Sequence, residues 1–310
     1  MLANLFRKTK IISLSLGAVF VFLLLLFYHN STEELIQNTA GVLWNVTRNT
    51  SLLILGLSLL IYSNERYRHL EVYPIHMLAF LLVLIYLPPE EVSFKGLFFQ
   101  FFLGLAWHYN NRVFQSKEAW IPLFNLSLLL SALWVFEPFV LCFFISPLLL
   151  FLDPKFRQVK IFLCFLIPIG ITLLWSSTLF HFLEQPFVFN GRIWTRYDTW
   201  TLPNENVFFL MGLLIFIFIS TLDGTGRRTY NFYTGSQTFL LLWLTSGLYL
   251  SFYGGTATLN PWELILFPAV YFLGHYFNKI SDKKGTIVTL LLVGIKGVSI
   301  LLLAKYYTSS

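Results

Sequence analysis

The stretch from Ile121 to Leu152 reads IPLFNLSLLLSALWVFEPFVLCFFISPLLLFL. As one helix, its 32 residues would run about 48 Å, against a hydrocarbon core of roughly 30 Å, so they are too long for a single crossing. Glu137 and Pro138 stand near the middle, and the residue before a proline is pushed out of the helical region. The stretch therefore reads as a hairpin of two apolar helices with its apex at Glu137 and Pro138. Paired apolar limbs with one charged residue between them need lipid as solvent, and the rest of the chain follows from that.

The composition agrees. The chain has 310 residues, is 56% hydrophobic and only 12% charged, and has a mean hydropathy of +0.69. Soluble domains carry about 25% charged residues because their surfaces face water. A soluble enzyme is excluded on that ground, and 34 Phe, 15 Tyr and 9 Trp suit neither a disordered tail nor a heptad seam. Cys142 and Cys164 lie inside apolar runs at different depths and read as small core hydrophobes rather than a bridge.

Working outward, the basic start with Arg7, Lys8 and Lys10 precedes an unbroken apolar run from Ile11 to Phe27. No small-residue cleavage site follows, so this reads as an uncleaved signal anchor that is also the first span. Further runs are Ser51 to Tyr62, Ile75 to Leu87, Gly96 to Tyr109, Ile121 to Phe136, Phe139 to Leu152, Val159 to Leu183, Val207 to Leu222, Phe239 to Tyr253, Leu264 to Phe277 and Thr286 to Tyr306. The expected fold is an all-α polytopic membrane protein of ten or eleven transmembrane helices. It forms a single transmembrane domain over 1–310, with a cytoplasmic N-terminus and no soluble domain. Runs shorter than about 20 residues must recruit their polar and aromatic flanks to cross.

Charge orients the spans. With the N-terminus inside, the inner segments hold fifteen basic residues, clustered at Arg7, Lys8 and Lys10, at Arg66 and Arg68, at Arg112 and Lys117, at Lys155, Arg157 and Lys160, at Arg227 and Arg228, and at Lys279, Lys283 and Lys284. The outer segments hold five: Arg48, Lys95, Arg192, Arg196 and Lys305. That alternation is the positive-inside pattern, and a miscounted span would invert everything after it. The net +6 thus reflects an inner excess and says nothing about nucleic acid.

Two outer loops and one intramembrane cation carry the candidate chemistry. The first outer loop, Tyr28 to about Thr50, contains Glu33 and Glu34 behind Ser31 and Thr32. The pair fits two readings: ordinary capping of a surface helix, or a carboxylate acting as general base or holding a divalent ion at the membrane surface. The second, Glu184 to Asn206, places Arg192, Trp194, Arg196, Asp198 and Trp200 on one face if it is extended. Two guanidiniums and two indoles suit a phosphate-bearing or sugar-bearing ligand, and they suit an interfacial belt equally. Lys296 sits between Gly294 and Gly297 in the last run, where a lysine costs about 2.5 to 3.5 kcal/mol on insertion scales. Its expected partner is a carbonyl freed at Pro168 or Pro268, the carboxylate of Glu263, or a ligand. Gln100, Asn125, Ser127, Ser131, Thr245 and Ser246 read as interhelical hydrogen bonds. The histidines lack ligand spacing; His29 and His181 with the outer glutamates leave a divalent metal as an unsupported option, and no other cofactor is indicated.

The segment from Ser116, Lys117 and Glu118 through the hairpin to Arg157 and Pro168 resembles a family of multi-pass inner-membrane proteins of Bacteroidota with no assigned activity. Its Ala132-Leu133 step and Asp153-Pro154-Lys155-Phe156-Arg157 connection carry that likeness, with Phe6 to Lys10 and Pro268 to Asn278. The resemblance implies an inner-membrane location and this topology. The hairpin, the basic connection and the acidic first outer loop also resemble the polyprenyl-phosphate-sugar-dependent transferases of the GT-C class, which keep an acidic catalytic residue in that loop; here it would fall on Glu33 or Glu34. The chain departs from them in being short and in lacking their aspartate-glutamate pair and outer soluble domain.

Three functions follow as expectations. One is a cell-envelope transferase or handler of a polyprenyl-phosphate-linked or other anionic lipid at the outer face, with Glu33 or Glu34 as base. Arg48, Arg192 and Arg196 would clamp phosphate, and Trp194 and Trp200 would stack on sugar. The second is a carrier or channel built on Lys296, and the third a non-catalytic subunit of an envelope complex. The expected partners are the bilayer and such a lipid, with no nucleic acid.

Overall fold

The computed structural model describes residues 10–30, 39–66, 75–86, 94–116, 118–182, 212, 230–253, 261–279 and 284–296. They are helical, with no strand among the described residues. The helices are α1 (Lys10–Asn30), α2 (Thr39–Arg66), α3 (Ile75–Tyr86), α4 (Phe94–Gln115) and α5 (Trp120–Phe136). After a return limb come α6 (Val159–Phe182), α7 (Tyr230–Tyr253), α8 (Pro261–Lys279) and α9 (284–296). Two of them, at Ala40–Ser63 and Val159–Phe182, are long and apolar enough to cross a membrane; the other apolar helices described are shorter. The Val207 to Leu222 run lies, apart from Gly212, outside the described residues, as does the part of the last run beyond Lys296.

The chain divides into two compact units, one of residues 1–97, 203–225 and 265–310, the other of 98–202 and 226–264. In the first, α1 packs on α2 and α3. Helix α2 buries Val42, Val46, Leu53, Leu57 and Leu60 and exposes Leu43, Trp44, Leu55 and Tyr62, the one-sided stripe of a 3.6-residue period. That stripe corrects the expected first outer loop: residues from Thr39 are already helix, not loop. Val42 and Val46 supply the buried face, while Asn45 and Thr47 point away from it. Helix α8 is buried on all sides from Leu264 to Gly274, as befits a segment with almost no polar side chains. The tip of its Phe267 ring lies against Gly56 of α2.

The second unit is built on the hairpin, whose apex falls where the sequence placed it. Helix α5 ends at Phe136; Glu137 is extended (φ −136, ψ 104), and its N–H still donates to Leu133 O at 2.9 Å. The return limb is not a plain α-helix. It runs as a 3₁₀ segment Pro138–Phe144, one α turn Ile145–Leu148 and a second 3₁₀ segment Leu149–Leu152. Its C-terminal end is closed by Arg157, whose Nε donates to Phe151 O at 2.9 Å and Nη2 to Leu152 O at 3.1 Å, a cation on the orphan carbonyls of a helix end. Helix α6 packs along α5, buries Ile161, Phe165, Pro168 and Ser176, with the Phe165 ring against Phe144 and Phe151 of the return limb, and exposes most of its other side chains. Helix α7 meets the limb through Phe239 on Phe143 (4.9 Å between centroids) and Ser246 beside Cys142 (3.4 Å). Cys142 and Cys164 are both free thiols.

Candidate functional site

Arg48, expected in a loop, lies inside α2, nine residues from its start. At about 1.5 Å per residue that is roughly 13.5 Å along a helix of about 42 Å. Its Cζ lies 4.2 Å from the centre of the Phe94 ring at the head of α4. The ring's quadrupole holds the cation by about 0.5 to 1 kcal/mol, more where water is excluded. Nε of Arg48 is buried without a hydrogen-bond partner among the described residues, as is Oγ1 of Thr50. Lys95 follows Phe94 and is exposed.

Lys296, half-buried on α9, carries its ammonium 5.7 Å from the centre of the Tyr86 ring. The Tyr86 hydroxyl donates to the carbonyl of Leu292, one turn before the lysine. Tyr86 is buried, so one side chain at the end of α3 both faces the cation and ties down the helix that bears it. At that distance a cation–π contact is worth about 0.5 to 1 kcal/mol. The ring is thus a Lys296 partner that the sequence reading did not include. The only sequence signal was an aromatic at a run's edge, the same signal that marks an interfacial belt.

Of the other candidates, Glu33, Glu34, Arg192, Trp194, Arg196 and Trp200 lie outside the described residues. The expected interhelical hydrogen bonds are mostly a correction. Ser131 donates to Ser127 O (2.6 Å), Thr245 to Leu241 O (2.8 Å) and Ser246 to Leu242 O (2.6 Å). A hydroxyl on Cβ reaches the carbonyl one turn back more readily than a neighbouring helix. Ser246 also meets the expectation, its Oγ lying 3.4 Å from Cys142 Sγ of the return limb, and other hydrogen bonds that cross between elements run from Ser146 Oγ to Asn110 Oδ1 at 2.9 Å and from the Tyr86 hydroxyl to Leu292 O. Among the described residues no three His, Cys, Asp or Glu side chains converge as metal ligands.

The chain matches no protein-family model, no curated protein and no solved structure.

Proposed function

We propose that the chain is a bacterial inner-membrane protein of about eleven spans that binds the phosphate of a polyprenyl-linked or other anionic lipid at its outer face. There it serves a cell-envelope transfer reaction of GT-C-like architecture. The observation that carries this is Arg48, its Cζ 4.2 Å from the centre of the Phe94 ring and its Nε unmatched: a guanidinium positioned by an aromatic face with a donor unmet is suited to a phosphate. Arg192 and Arg196 would add to the clamp, Trp194 and Trp200 would stack on sugar, and Glu33 or Glu34 would take the acceptor's proton. Atoms balance as an alcohol oxygen attacking the sugar carbon, with the lipid phosphate leaving.

The topology draws support from cation–π contacts used as depth markers. Arg48 meets Phe94, so α4 begins beside Arg48, about 13.5 Å along α2 from its start; were α4 reversed, Phe94 would lie about 30 Å away. Lys160 Nζ lies 4.1 Å from the Trp120 ring centre, so α5 and α6 also start together and the limb between them must return. The exposed apolar side chains of α6, with Leu174, Trp175 and Phe182 about 70 to 80% accessible, would be an aggregation liability in water and match lipid.

Binding is tested by native mass spectrometry of the purified protein with a polyprenyl phosphate. Arg48→Ala should lose the adduct and Arg48→Lys should keep part of it; an Arg48→Ala protein that binds undiminished overturns the assignment. Replacing Glu33 and Glu34 together by alanine should abolish transfer and leave binding intact, whereas a fully active double variant removes them as the base. A second reading, a carrier using Lys296, rests on the Tyr86 contact.

A further inference from the structure

Two side chains of the second unit are absorbed by neither reading. Gln100 and Asn111 of α4 are wholly buried, and neither the amide nitrogen nor the carbonyl oxygen of either has a hydrogen-bond partner among the described residues. Eleven residues make three turns plus about 20°, so the two carboxamides share one face and stand about 16.5 Å apart. Between them that face holds Gly104, with no side chain, and the buried ring of Trp107. Asn110, one residue away, is bonded by Ser146, so this helix does pair a buried amide where a partner is meant to be. Keeping two more amides unmatched costs free energy that a leucine of similar size would not.

The chemistry of the ligand follows from the groups. Each carboxamide offers two donors and one acceptor and no charge. A cation would leave the NH₂ unmet and an anion the carbonyl, so the complement is an uncharged group that both donates and accepts, as a hydroxyl does. Ser127 Oγ on α5, also buried and unmatched, belongs to the same class. Gln100 lies six residues, about 9 Å, from the outer end of α4, and Asn111 four residues, about 6 Å, from the other. We propose that they are two stations for a small uncharged hydroxyl-bearing molecule, water or a polyol, entered from opposite sides of the membrane with Trp107 between them. The stations depend on the membrane placement alone and stand whether or not Arg48 binds an anion.

The test uses the full chain with Cys142 and Cys164 replaced by alanine and carrying Gln100→Cys or Asn111→Cys, in right-side-out and in inverted vesicles. A charged, membrane-impermeant methanethiosulfonate should modify each position from one side only, the two from opposite sides. Molar glycerol should slow the reaction where a polyol is the occupant and leave it unchanged where water is. Independently, Gln100→Leu and Asn111→Leu should lower the Tm of the detergent-solubilised protein, because an occupant would lose its partner. Failure of both cysteines to react from either side, or a raised Tm for both leucine variants, overturns the proposal.

Discussion

Gly56 makes the packing of the first unit testable with one atom. A Cβ built there overlaps Cζ of Phe267 and stands 3.0 Å from both of its Cε atoms, and Phe267 is only 2% exposed. Alanine gains about 1 kcal/mol of helix propensity over glycine. Forcing the ring aside in a filled core costs about 1 to 3 kcal/mol. Gly56→Ala should therefore be neutral to destabilising by about 2 kcal/mol, a Tm fall of up to about 4 to 8 °C at 2 to 4 °C per kcal/mol, and Gly56→Val should be worse. Gly170 and Gly294 have nothing within 4 Å of a built Cβ, so alanine at either gains the propensity without the clash and should stabilise by up to about 1 kcal/mol. The decisive arm is the double variant: once Phe267→Leu removes the ring tip, Gly56→Ala should become stabilising. Thermal unfolding of the four proteins in one detergent gives the cycle. If Gly56→Ala destabilises by the same amount with and without the ring, the close approach of α2 and α8 is not the cause and the reasoning fails.

Other consequences are simpler to state. Ser146→Ala removes the donor to Asn110 Oδ1 and should cost about 1 to 2 kcal/mol, read as a lower Tm; an unchanged Tm would show that this bond contributes nothing. Tyr86→Leu takes away both the ring facing Lys296 and the bond to Leu292, and should destabilise more than Tyr86→Phe, which keeps the ring; equal losses would leave no role for the ring. Under the carrier reading Lys296→Met should abolish transport while expression survives, and transport at the normal rate by that variant counts against it. Cysteines at Gln158 and Phe182, exposed at the two ends of α6, should react with an impermeant reagent from opposite sides of the membrane, and labelling of both from one side would break the topology.

The hairpin was legible because Glu137 and Pro138 interrupt an apolar run too long for one crossing, and both the interruption and the length are local properties of the chain. Helix α2 was legible only in its apolar half. Asn45, Thr47, Arg48 and Asn49 disguised its first three turns as loop, because burial follows the stripe of Val42 and Val46 rather than average hydropathy. The Lys296 partner could not be read at all. Tyr86 lies 210 positions away in the chain, and nothing in its flanks separates a ring that faces a cation from one that sits at a headgroup. Gln100 was visible as a polar residue in a run. That it would be buried without a partner depends on what surrounds α4 on every side, which a linear pattern does not contain.

The winding of the return limb was invisible for a different reason: an apolar run does not distinguish α from 3₁₀. Two contacts with α4 bracket part of it. Phe139 meets Phe99 (5.8 Å between centroids) and Ser146 meets Asn110, so seven residues of the limb run beside eleven residues of α4, about 16.5 Å. As α-helix those seven would advance about 10.5 Å; with five of the steps in 3₁₀ geometry at about 2.0 Å they advance about 13 Å. The 3₁₀ winding thus brings the limb about 2.5 Å nearer the length of α4 that it runs beside. The same winding bears on how a short run can cross. Fifteen residues of α-helix cover about 22 Å, whereas Pro138–Leu152 as observed covers about 28 Å, close to the hydrocarbon thickness. Short runs were expected to borrow length from polar flanks. This limb is instead lengthened by its 3₁₀ winding, with Arg157 closing the carbonyls at its end.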